Sequence, residues 1–181
     1  MLGDVTVAAT VPRLVEFLED GGTIITIGSS TVMGRHLDLP VGNHLTDDRG
    51  EPLTPDKYYV PGSVLEVRVD NSQPLAYGMN ERVDVFFNNS PVLRMLPDAQ
   101  SLGLTPVAWF DSDDPLRSGW SWGEHQLNGG VAIAQAKVGH GTLYLFGPEI
   151  LNRAQPHGTF KFFFNGVYLA GAERVRLDLT N

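Results

Sequence analysis

The run Thr23-Ile24-Ile25-Thr26-Ile27 constrains the fold more than any other part of the chain. Every position is β-branched, and polar and apolar residues do not alternate as they would on a half-exposed sheet. Such a run predicts a short strand covered on both faces, as found where helices pack on either side of a sheet. Gly28-Ser29-Ser30 then turns the chain, and residues 31–37 begin a second helix. Ahead of the strand, residues 10–20 read as an amphipathic helix, with Val11, Leu14, Val15 and Leu18 at i, i+3, i+4 and i+7. Thr10 suits its N-cap and Pro12 its first turn, and Gly21-Gly22 stops it. Helix, buried strand, tight turn and helix together form a piece of an α/β doubly wound sheet. Such a sheet normally opens with a strand, whereas here a helix comes first. The expectation is that the chain is a fragment, incomplete at its N-terminus, or that the missing strands come from elsewhere in a larger protein.

The middle of the chain has a different character. Residues 63–69, 83–87, 91–96 and 106–110 read as strands separated by Pro, Gly, Asn and Asp. Residues 42–62 are polar and proline-rich and read as a long excursion or lid. Residues 111–130, rich in Gly, Trp and acidic side chains, read as a structured loop. Residues 131–138 and 142–146 form a hairpin turning at Gly139-His140-Gly141. The last element is a helix from about residue 158 to 169, with Phe160, Phe163, Phe164 and Val167 on one predicted face. With no repeat and no linker, the sequence reads as one domain over residues 1–181, an α/β sheet flanked by helices with an inserted β-rich region.

Composition excludes several functions. Hydrophobic residues make up 42%, enough for a real core. Thirteen Lys and Arg face twenty-one Asp and Glu, for a net charge of −8. That surface repels phosphate backbones, so no nucleic-acid partner is expected, while a divalent cation or a basic partner suits it. The chain has no cysteine, which removes disulfides, thiolate zinc sites and cysteine nucleophiles. No apolar run approaches the ~20 residues of a membrane span. Met1-Leu2-Gly3-Asp4 lacks the basic start and apolar stretch of a signal peptide. The expectation is a soluble protein, with any export signal carried by a longer parent.

Three stretches carry a family resemblance: residues 19–30 around the buried strand, residues 139–149 from Gly139 to Glu149, and Gln155-Pro156-His157-Gly158-Thr159-Phe160-Lys161-Phe162-Phe163-Phe164-Asn165-Gly166. Together they resemble the class I glutamine amidotransferase-like domain that follows the peptidase domain in some bacterial zinc carboxypeptidase-like proteins. The third stretch is the most specific part of the likeness. The resemblance implies a flavodoxin-like α/β sheet whose nucleophile would sit at the turn after the buried strand. In active relatives that turn carries Cys, and the later strand ends in His-Pro-Glu. Here the turn reads Gly28-Ser29-Ser30 and the later motif Gly147-Pro148-Glu149, so only Glu149 of the triad remains. A triad needs a nucleophile beside a base that a third group orients, so glutamine hydrolysis by the usual route is not expected. The peptidase chemistry does not carry over either. It needs a His-x-x-Glu pair with a distant His on zinc, and none of the five histidines is followed by Glu at that spacing.

Other constellations could still carry chemistry. Gly119-Trp120-Ser121-Trp122-Gly123 matches the Gly-x-Ser-x-Gly elbow of serine hydrolases, with His125 close in sequence. Neither a strand before it nor a helix after it is expected, so a tryptophan-rich structural loop is the competing reading. Ser29 or Ser30 could replace Cys at the elbow if His157 reached it, with Glu149 orienting the imidazole; alternatively, they cap the following helix. Asp111, Asp113, Asp114 and Glu124 could offer oxygens to calcium, although the spacing also suits turn formation. His157 opens the last helix, either as a ligand or catalytic imidazole or as a residue bonded to backbone. Trp109, Trp120 and Trp122 could wall a pocket or pack internally. His36, His44 and His140 read as surface or turn residues.

The leading reading is a noncatalytic accessory domain that packs against a peptidase domain of the same parent protein or forms a homo-oligomer. It predicts an exposed apolar patch. A small hydrolase of ester, lactone or amide bonds predicts a Ser within hydrogen-bond reach of a His. A ligand-binding module predicts a cleft walled by tryptophans.

Overall fold

The computed structural model describes residues 6–172. Helix α1 (Val11–Glu19) leads into β1 (Thr23–Ile27), a 3-10 turn (Gly28–Val32) and the single turn α2 (Met33–His36). After β2 (Val41–Asn43) come β3 (Ser63–Val69), β4 (Arg82–Phe87), β5 (Leu93–Met95), β6 (Leu104–Trp109), β7 (Leu116–Ser118), β8 (Val131–Val138) and β9 (Gly141–Phe146). Helix α3 (Phe160–Ala170) follows.

The nine strands of the described residues form one mixed sheet with the main order β1-β9-β8-β6-β3-β4. Within it β1 and β9 run parallel, in register from Thr23 opposite Thr142 to Ile27 opposite Phe146; the other pairings are antiparallel. The expected β-rich insertion therefore continues the same sheet. The strand expected over 91–96 shortens to β5, which pairs with β2 and touches β8 at Leu93 opposite Val131. The loop 111–130 contributes β7, which pairs with β3.

Alternation along β9 divides the core. Leu143 and Leu145 face a cluster built with Leu18 of α1, Met33, Val41, Ala134 and Ala136. Tyr144 and Phe146 face the opposite cluster, with Val67, Val85, Phe110, Ile133 and Phe162 of α3. β1 repeats the division, Ile24 on the α1 side and Ile25 and Ile27 on the α3 side, but it is less covered than its sequence predicts: the three isoleucines are half-buried and only Thr26 is buried. β1 pairs only with β9 among the described residues, which leaves its second edge open. Close approach of α1 to this sheet depends on Gly141: a Cβ there would run into the carbonyl oxygens of Leu18 and Gly22.

Helix α3 is rotated from its expected phase. Phe162 is fully buried, with its ring 6.3 Å from Phe146, and Gly166 lies against Ile25 and Tyr144. One flank is tied to the 74–78 segment, where Asn165 Nδ2 donates to the carbonyls of Leu75 (2.9 Å) and Tyr77 (3.0 Å) and Lys161 Nζ donates to that of Gly78 (2.6 Å). These polar anchors, with a glycine that permits close contact, set the rotation. Of the expected face, Phe160 and Phe163 are half-buried, whereas Phe164 (51% exposed) and Val167 (47%) are exposed beside Tyr168 (74%). Phe162→Ala should destabilise the fold by about 3–5 kcal/mol in urea denaturation, and Phe164→Ala by less than about 1 kcal/mol.

Candidate functional site

The turn after β1 combines two geometries. Gly28 has φ +61°, a left-handed conformation that favours glycine. The Ser30 hydroxyl accepts from the Ile27 N–H (2.8 Å) and donates to the Ile27 carbonyl (2.7 Å), and Thr31 Oγ1 donates to the Gly28 carbonyl (2.8 Å). Ser30 is thus a capping residue with its hydroxyl engaged on both sides. Ser29 is exposed and opens onto a cleft of about 800 Å³ formed with the 41–59 excursion and the 89–93 loop.

The motif after β9 approaches the same turn. The Glu149 carboxylate lies 4.0 Å from where a side chain on residue 28 would begin, and the Glu149 N–H donates to the Phe86 carbonyl (3.2 Å). Gly147, which stands where the resemblance calls for His, has no room for a side chain. A Cβ there would fall on the Pro91 carbonyl oxygen, well inside van der Waals contact, and 3.1 Å from that of Ala132. The Gly147 N–H donates to the Ala132 carbonyl (2.9 Å), which fixes the backbone in this position.

His157 faces elsewhere. Its Nε2 is 3.1 Å from the Ala154 carbonyl and its ring packs 5.1 Å from Phe160. It lines a second cleft of about 860 Å³ beside Glu66, Arg82 and Arg117, whereas Ser29 lines the first. The structure therefore brings Glu149 to the elbow and leaves His157 on a different opening.

The Gly-x-Ser-x-Gly stretch forms a two-residue bridge. The Tyr59 N–H donates to the Trp122 carbonyl and the Trp122 N–H to that of Tyr59, both at 2.9 Å. Ser63 Oγ accepts from the Trp120 N–H (3.0 Å) and donates to the Trp120 carbonyl (2.5 Å), and the Trp122 indole donates to the Asp56 carbonyl (2.8 Å). Both glycines serve close packing: Gly119 (φ +100°) lies against Ser63, and a Cβ on Gly123 (φ +71°) would meet the Lys57 carbonyl. Ser121 Oγ is buried with no hydrogen-bond partner, and His125 Nε2 contacts the Gln126 side chain at 3.2 Å. Trp120 and Trp122 are about half exposed, with Tyr59 6.2 Å from Trp120, while Trp109 of β6 packs against the α1-side core.

The four carboxylates weighed for calcium have separate surroundings. Asp111 takes a bidentate pair from Arg82 (2.9 and 3.0 Å) with Arg68 nearby (3.7 Å). Asp113 accepts from Asn128 Nδ2 (2.8 Å), Asp114 is exposed, and Glu124 opens the 3-10 turn Glu124–Leu127. Among the described residues no group of three or more His, Asp or Glu converges as a metal site, and no helix is long and apolar enough to cross a membrane.

Solved structures share the fold. A GMP synthase component from Thermoplasma acidophilum superposes with a TM-score of 0.50 at 15% identity, covering 90% of this chain and 65% of that one. The fold is the class I glutamine amidotransferase-like fold. A ThuA-like protein from Bacteroides uniformis (TM-score 0.50, 10% identity, 88% of this chain and 62% of that one) shares this amidotransferase-like architecture. A β-galactosidase from Bacillus circulans sp. alkalophilus aligns over 90% of this chain but only 20% of its own length, with a TM-score of 0.51 at 13% identity. The chain thus spans a fifth to about two thirds of these proteins. No family model and no curated protein matches the sequence.

Two features escaped the sequence reading. The closed space at Gly147 depends on a loop more than fifty residues away and leaves no local signal. His44, read as a surface or turn residue, is half-buried, with Nε2 3.2 Å from the Asn128 carbonyl. Burial lowers its pKa, partly opposed by hydrogen bonds to the Asn128 and Gln126 backbone, and Arg94 lowers it further. The folded state therefore binds this proton less readily than the unfolded chain. The stability from neutral His44 is complete above about pH 6.5 and is lost as pH falls through its depressed pKa. Urea titrations across that range should show the slope in the native sequence and a flatter one in His44→Gln.

The Trp-rich bridge yields a contrasting pair. Ser121→Ala removes a buried hydroxyl without a partner and should leave stability unchanged or raise it by up to about 1 kcal/mol. Gly123→Ala forces both a strained φ and a steric clash, and should lower the melting temperature markedly.

Proposed function

We propose that this chain is a noncatalytic accessory domain, a degenerate amidotransferase-like fold that packs against a catalytic domain of a larger protein. The observation that carries the reading is the closed space at Gly147. The position that needs an imidazole is filled by the Pro91 carbonyl, so the loss of the base is built into the packing. At the elbow, Ser30 is committed to Ile27, and Ser29 has no histidine bonded to it among the described residues. The exposed Phe164, Val167 and Tyr168 on α3 supply the apolar surface that such a domain needs, and the edge of β1, unpaired among the described residues, adds backbone hydrogen-bonding groups under the same helix. The family resemblance points to a zinc carboxypeptidase-like peptidase domain of the same parent as the partner, with a second copy of this chain as the alternative. That a β-galactosidase carries this fold over a fifth of its chain fits an accessory role.

The test is hydrolysis of glutamine and a panel of activated esters and lactones, with and without calcium, by the purified chain and by Ser29→Ala and Ser121→Ala. The expected result is no turnover above buffer in any of them. Turnover abolished by either substitution would identify a nucleophile and replace this reading with that of a small hydrolase. In parallel, the chain should co-purify with the peptidase domain of its parent, and Phe164→Asp/Tyr168→Asp should abolish that association.

A further inference from the structure

We draw no further inference here: the strongest candidate, the exposed aromatic face that Tyr59, Trp120 and Trp122 form on the bridge between the 42–62 excursion and the tryptophan-rich loop, carries nothing because nothing in the structure shows what covers it.

Discussion

The double burial of β9 is the constraint on which the rest of the structure depends. Leu143 and Leu145 fill one side of the sheet while Tyr144 and Phe146 fill the other, so β9 belongs to both halves of the core. It joins its parallel partner, β1, to the antiparallel sheet that begins at β8. The α1 side closes because Gly141 lets the helix backbone approach, and the α3 side closes because Gly166 does the same against Ile25 and Tyr144. Cores packed this densely tolerate little change in shape. The two glycines therefore set how near each helix can lie.

The same strand delivers Gly147-Pro148-Glu149 to the elbow, which makes the site a direct product of the fold. Glu149 arrives beside Gly28, where an orienting carboxylate would belong. The imidazole it would orient has no place, because the Pro91 loop occupies that volume. What persists is an elbow stabilised by its own hydroxyls, with Ser30 closing on Ile27 and Thr31 on Gly28. The hydroxyls of this turn serve local backbone geometry, and the cleft next to it is free of the carboxylates that dominate the chain's charge.

Much of the element order was legible in the primary structure because it is local. Strands 23–27, 63–69 and 131–138 coincide with the predicted spans, and α1 differs by one residue at each end. The error in α3 is instructive. Its sequence holds aromatic residues at 160, 162, 163, 164 and 168, so hydrophobic periodicity supports more than one buried face. The rotation was decided by Asn165 and Lys161 reaching the carbonyls of Leu75, Tyr77 and Gly78, contacts between segments more than eighty residues apart. Likewise, the Gly-x-Ser-x-Gly match could not reveal that each glycine answers a close backbone approach from residues 57–63.

The amino-acid sequence by itself determined the span of β1, the helix before it, the hairpin after residue 130, and the absence of the cysteine on which amidotransferase chemistry relies. Those features depend on residue type and short-range periodicity, which a linear chain displays directly. Tertiary structure alone decided the separation of His157 from Ser29, the filling of the space at Gly147 and the rotation of α3. Each of these depends on which distant segments share a volume, and that is set only when the two sides of the sheet close over β9.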